Sequence, residues 1–260
     1  MESQINLIKQ KVNALLGQEN SGHDMAHVNR VLALSLNFAK QEDANPNIAS
    51  LIALLHDVDD YKLFGHDTAT NLPNARCIMQ EAEISPDTQT IVCNEIKHLG
   101  YSKRLQGLRP RTLEGKIVSD ADMCDGLGAH GIIRTCQYSA AHQRPFFRLD
   151  LFPLDELTVE NYASNDRPDS SINHVFEKIL RLKNLMLTPS GKHEAEARHN
   201  FTVNFLRQFF QEENATNWLN YLDNFLTKNG GTDRNWTGVH GFADRCVTTP
   251  PQCHPAIILA

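Results

Sequence analysis

With 260 residues the chain suits one large domain, or a domain with an extension, since single hydrophobic cores stop growing near about 250–300 residues. Hydrophobic residues make up 41% and charged residues 22%, so a packed core is within reach. A formal charge of -6 and an isoelectric point near 6.0 argue against a partner that is polymeric nucleic acid. They leave room for a small anionic ligand whose charge a bound cation offsets.

The opening segment places Ile5, Ile8, Val12 and Leu15–Leu16 at three- and four-residue steps, which gives one apolar helix face. It lacks the basic start and apolar middle of a secretory signal, and no later stretch reaches the roughly 20 apolar residues of a membrane span. The six cysteines are scattered without a C-x-x-C pair; they read as reduced thiols, Cys246 and Cys253 included, in a cytoplasmic protein.

Ser21 and Asp24 offer caps for a long helix through Val28, Val31, Leu32, Leu34, Leu36 and Phe38. Pro46 stands where a first helical turn tolerates it, and 48–57 reads as a largely buried helix. Further helices are predicted over 66–82, 86–98, 111–126 and 128–142. The stretch 143–169 is richer in Pro, Asp and Arg and has no clean period, so it reads as a loop or lid-like insertion. Helical patterning returns over 170–187, stops at Thr188-Pro189-Ser190-Gly191, and resumes from Lys192 to about Leu226.

Nothing reads as a sheet, and there is no internal repeat or Gly-rich phosphate loop, so the expected fold class is all-α. From Asn229 onward Gly, Thr and Pro rise and helical spacing vanishes. This divides the chain into a helical domain over 1–227 and an irregular C-terminal extension over 228–260. Trp236 and Phe242 leave two readings of that tail open, a loose extension or a strap across the body.

Four clusters carry chemistry: His23-Asp24-x-x-His27, His56-Asp57-x-x-Asp60, His98, and Asp120-x-Asp122-x-x-Asp125, all on or beside predicted helices. His27, His56, Asp57 and Asp122 would supply two imidazole nitrogens and two carboxylate oxygens. Such a mixed set suits a divalent Mn, Fe, Co, Ni or Mg ion rather than a thiolate-type structural zinc. An ion of that kind lowers the pKa of bound water and offsets charge developing on a phosphoryl group. A lone His-Asp dipeptide is a weak signal, and the spacing of His23 and His27 also fits a solvated helix face. Context adds weight. LIALLHDVDDY places charged residues directly after an apolar run, where burial is costly unless they are paired or metal-bound. SDADMCD sets three carboxylates within six residues, and such close like charges call for an offsetting cation.

These segments resemble the HD (His-Asp) superfamily of metal-dependent phosphohydrolases, whose signature is H…HD…D in an all-α bundle. GHDMAHVNRVLALS is similar to the family's first helix, and LLHDVDDYK to the helix bearing the His-Asp pair. IVSDADMCDGLGAHGIIRT resembles the last ligand segment of a bacterial branch with nucleotide-pyrophosphatase-like members. The likeness extends over roughly residues 5–215.

The resemblance implies His27, His56, Asp57 and Asp122 as ligands of a metal held between helices, with Asp120 the fallback for Asp122 and Asp125 a partner that fixes ligand geometry. It implies that Asp60, four residues after His56 and expected on the same helix face, orients or deprotonates the attacking water. Alternatively Asp60 only orients His56 or a basic residue. Lys62, His98, Lys116 and Arg134 are the implied phosphate contacts. The expected function is hydrolysis of a phosphoester or phosphoanhydride, of a nucleotide first. A non-catalytic metal- or nucleotide-binding sensor and a di-iron oxygenase are the alternatives, and the latter lacks a convincing second helper ligand beside His98. The sequence departs from the branch at Met123, Cys124 and His130, which touches the pocket wall or packing more than the ligand set.

Overall fold

The apolar run that precedes the His-Asp pair becomes the helix around which the rest is built. In the computed structural model, which describes residues 1–17, 24–154 and 169–229, the elements in chain order are α1 (Glu2–Leu16), α2 (Met25–Gln41), α3 (Pro46–Leu55), α4 (Tyr61–Phe64), α5 (His66–Asn71), α6 (Pro73–Glu81), α7 (Pro86–Ile96), α8 (Tyr101–Leu105), α9 (Leu113–Asp125), α10 (Gly128–Ala141), α11 (Ser171–Glu177), a 3₁₀ segment (Ile179–Leu185), α12 (Pro189–Glu212) and α13 (Thr216–Asn229). Among the described residues there is no strand, and the all-α expectation holds. None of the described helices is long and apolar enough to cross a membrane.

Residues Met1–Leu219 form one compact unit. A second, Asn220–Ala260, is described only through the rest of α13. The extension read over 228–260, with Trp236, Phe242, Cys246 and Cys253, lies outside the described residues from 230 onward.

In α3, Asn45 caps the first turn by accepting from the Asn47 and Ile48 N–H groups, and Pro46 costs nothing where no intrahelical donor is needed. Every residue from Ala49 to Leu55 is buried. A helix apolar all round must be enclosed on all sides. It is packed by α2 and α9 most extensively, and also by α7 and α1. Burying each Leu or Ile contributes about 1.5–3 kcal/mol relative to exposure. The α2 helix presents one buried stripe, His27, Val28, Val31, Ser35 and Phe38, while α9 is buried along most of its length from Ile117. Since α2 and α9 also pack on each other, three helices meet where the His-Asp segments fall.

The predicted helix over 66–82 is instead two helices, broken at Leu72. Its φ of 55° is left-handed, and Pro73 disfavours a right-handed helical conformation in the residue before it. The run from Lys192 to Leu226 likewise divides between α12 and α13, with Asn214 at φ 54°. The segment over 170–187 is a short α-helix followed by a 3₁₀ turn rather than one helix. Of the loop read over 143–169, residues 155–168 lie outside the described set, and the described remainder is irregular as expected. Its first part is pinned by aromatic packing. Phe147 and Phe152 sit against the buried Trp218 with ring centroids 5.2 and 4.5 Å apart, and the Trp218 indole N–H donates to the Leu149 carbonyl at 3.1 Å.

Candidate metal centre

His27 lies in the first turn of α2, where its backbone N–H donates to the Asp24 carboxylate at 2.8 Å, so the helix cap and the ligand position are set together. His56 and Asp57 leave the C-terminal end of α3, and Asp122 projects from α9. His27, His56 and Asp57 are buried and bring one donor atom each to within 4.8 Å of one another. The His27 and His56 Nε2 atoms stand 3.1 Å apart. Asp57 Oδ2 lies 3.4 Å from the first and 3.3 Å from the second, and Asp122 Oδ1 lies 3.5 Å from His27 Nε2. Asp122 is half-buried and forms the open side.

The remaining ring nitrogens are committed. His56 Nδ1 faces the Ala53 carbonyl at 2.8 Å, and His27 Nδ1 faces Asp125 Oδ2 at 2.7 Å. Both of these partners accept, so each Nδ1 must donate, which leaves two Nε2 lone pairs and the Asp57 carboxylate together in one region, with Asp122 beside His27. Such lone pairs repel at 3.1 Å unless a positive centre sits between them. Burial alone lowers the His27 pKa, yet the bonds to Asp125 and Asp57 outweigh it and raise it to about 9. The cluster therefore draws positive charge to the point where the imidazoles meet, and its two nitrogens and one carboxylate, with Asp122 alongside, fit a borderline or hard divalent ion.

Behind His27, Asp125 is fully buried. Its Oδ1 accepts from Arg30 Nε at 2.6 Å, and its Oδ2 from Arg30 Nη2 at 3.0 Å and Arg134 Nη1 at 2.7 Å. Burial would raise this carboxyl, but the bonds from His27 and Arg30 and the charge of Arg134 hold it well below the usual carboxylate range. Sequence reasoning noted Arg30 only as part of the resemblance to the family's first helix and gave it no role. Its signal was its place three residues after His27, which puts both on one helix face.

The fold separates the other acidic residues. Asp120, the fallback ligand, is fully buried and turned to the start of α12. Its Oδ2 accepts from the Thr188 N–H at 2.8 Å and the Thr188 hydroxyl at 2.7 Å, and its Oδ1 from the Leu187 N–H at 2.9 Å. Asp59 accepts from the Asn74 and Ala75 N–H groups at the start of α6. Asp60 does not share a helix face with His56, because α3 ends at Leu55 and the chain turns before Asp60 opens α4. Its carbonyl accepts from the Leu63 and Phe64 N–H groups.

Of the expected phosphate contacts, His98 follows α7 with Nδ1 against the Asn94 carbonyl at 2.6 Å. Lys116 is six residues before Asp122 on α9, about 9 Å along the axis at 1.5 Å per residue. Arg134 has its Nη1 on Asp125. The side chain of Lys62 and the whole of His23 lie outside the described residues. Met123 and Cys124 are buried in packing, and the Cys124 thiol, pushed up to about 12 by burial, sits 4.0 Å from the Met186 sulfur. His130 is exposed.

Residues 25–127 match the HD domain, so the matched region spans the His27–His56–Asp57 cluster and Asp122. The chain is 32% identical over 203 residues to YpgQ of Bacillus subtilis (strain 168), a stretch covering 77% of this chain and 89% of that protein. It belongs to the HD-domain family.

Solved structures agree with the HD assignment. A Lactobacillus plantarum protein superposes with a TM-score of 0.72 at 32% identity, covering 83% of this chain and 99% of that one. An HD-superfamily hydrolase from Bacillus thuringiensis superposes with a TM-score of 0.64 at 31% identity, covering 82% and 98%. YpgQ in complex with ADP does so with a TM-score of 0.62 at 27% identity, covering 81% and 95%.

Proposed function

We propose that this HD-family protein is a metal-dependent phosphohydrolase that cleaves a phosphoester or phosphoanhydride of a small substrate, a nucleotide first. The observation that carries the reading is the convergence of His27 Nε2, His56 Nε2 and Asp57 Oδ2 at separations of 3.1–3.4 Å, with Asp122 Oδ1 3.5 Å from His27 Nε2. A divalent ion there would acidify water and offset charge on phosphoryl oxygens. The chain's own residues would supply the rest. His27 and His56 present fixed lone pairs, Asp57 adds buried negative charge, and half-buried Asp122 leaves an approach for substrate. Asp60 would accept the proton of the attacking water, and Lys62, His98 and Lys116 would meet the phosphate.

Two comparisons support this reading. B. thuringiensis contributes a neighbour described as an HD-superfamily hydrolase, and B. subtilis YpgQ has been seen with ADP. Nucleotide chemistry is thus the first to try, and a divalent metal the cofactor to supply.

The test is release of phosphate or pyrophosphate from a panel of nucleoside mono-, di- and triphosphates with Mn, Co, Ni, Fe or Mg added. Metal-dependent turnover that Asp57→Ala abolishes is the expected result. Metal-loaded protein that turns over no phosphate compound would overturn the hydrolase reading in favour of a sensor. Asp60→Asn is expected to lower kcat with little change in metal affinity, whereas Lys62→Met and His98→Ala should act mainly on KM.

A further inference from the structure

Asp125 lies outside the convergent set, yet its carboxylate is bonded at both oxygens, one of them by His27 itself. Four donors reach its two oxygens: His27 Nδ1 at 2.7 Å, Arg30 Nε at 2.6 Å, Arg30 Nη2 at 3.0 Å and Arg134 Nη1 at 2.7 Å. The donors come from two helices besides its own, α2 for His27 and Arg30 and α10 for Arg134. Arg30 uses both edges of a fork, which fixes the plane of the carboxylate rather than merely its position. Arg134 adds a single donor to the oxygen that His27 also uses.

We infer that Arg30 and Arg134 are positioning residues for the metal centre, acting through Asp125 to aim the His27 imidazole, rather than contacts for substrate phosphate. This rests on the metal-site reading above. An imidazole whose Nδ1–H is held by a carboxylate keeps its Nε2 lone pair directed at the ion and binds it more tightly than an unsupported ring. His56 has only a backbone carbonyl for this purpose, at 2.8 Å, so His27 is the ligand whose support is made of side chains. The two arginines keep the carboxylate from turning towards another donor. Their own side chains are about a quarter exposed, at 28% and 22%, while Asp125 is shut away, so the ion pairs are anchored on the inside.

The test reads Mn²⁺ affinity by calorimetry on full-length protein stripped with a chelator, with no substrate present. Asp125→Asn is expected to weaken the Mn²⁺ Kd by about 10- to 100-fold. Arg30→Met and Arg134→Met should each weaken it by several-fold, yet change it by less than about twofold when added to Asp125→Asn, because their effect passes through that carboxylate. Arg134→Lys should recover most of the wild-type affinity, since Arg134 gives Asp125 a single donor. Arg30→Lys should not, because an ammonium cannot reproduce the fork.

Unchanged Kd in both arginine variants would overturn the inference. A raised KM beside it would return Arg134 to the phosphate, and a lowered Tm beside it would leave only a structural ion pair. If Asp125→Asn does not fold by circular dichroism, the arginine series and its unequal lysine rescue decide. Wild-type protein that binds Mn²⁺ but hydrolyses no phosphate compound would end the hydrolase reading and leave this one standing; protein that binds no divalent ion would end both.

Discussion

His27 and His56 meet through their Nε2 atoms at 3.1 Å while both Nδ1 atoms are held by acceptors. That arrangement is unfavourable for two neutral rings alone and favourable once a positive charge joins them. The cost of building it is met by α2 and α3, which pack extensively and bury both side chains. The two residues are 29 positions apart in sequence, so their meeting is a property of the fold.

Binding an ion to the folded state alone must raise stability. At a free concentration about 100 times Kd the gain is about 2.7 kcal/mol, which for a unit of this size raises Tm by roughly 5–10 °C. Differential scanning fluorimetry with and without Mn²⁺ should show this shift in the wild type and lose it in Asp57→Ala. An equal shift in both proteins would place the ion elsewhere.

Asp120 and Asp122, two residues apart on one helix, should separate cleanly. Asp120→Ala strands the Leu187 and Thr188 N–H groups in a buried place, at a cost of about 2–4 kcal/mol, and should lower Tm by roughly 5–15 °C with metal Kd within about twofold. Asp122→Ala should do the reverse, weakening the metal by an order of magnitude or more with little change in the Tm of the stripped protein. Thermal melts and calorimetry on the same preparations check both arms.

The contrast shows how far the sequence could be read. Charge crowding in SDADMCD and HDVDD pointed to a cation, and the fold gathers His27, His56 and Asp57, with Asp122 beside His27. Yet the crowding is mostly relieved in other ways, by backbone N–H groups for Asp59 and Asp120 and by arginines for Asp125. Helical spacing cannot say which carboxylate faces which neighbour, because that depends on where α12 and α6 begin. The break at Leu72 was legible in Pro73 but was masked by apolar spacing that runs on through it. The turn of the chain after Leu55, which takes Asp60 off the His56 face, had no such signal.

His199, on α12, is 3% exposed, and its Nδ1 has no hydrogen-bond partner among the described residues. Burial, with the nearby charge of Lys183, lowers its pKa from 6.5 to about 4. A histidine with a depressed folded-state pKa takes up a proton on unfolding, so its contribution is intact above pH 6.5 and falls away between about 6.5 and 4. The loss across that window is on the order of 3 kcal/mol. Urea melts at pH 7 and pH 4.5 should show His199→Leu losing less stability than the wild type over this step. Parallel losses in the two proteins would show that His199 is not the group responsible.

The central claim is that His27, His56, Asp57 and Asp122 hold a divalent ion together. The measurement that addresses it most directly is the equilibrium binding of Mn²⁺ to stripped wild-type protein beside the His56→Ala and Asp57→Ala variants, each shown to be folded by circular dichroism. Saturable binding to the wild type, weakened by an order of magnitude or more in either variant, is the expected result. Binding of undiminished affinity in both variants, or no binding to the wild type with any divalent ion, would contradict it.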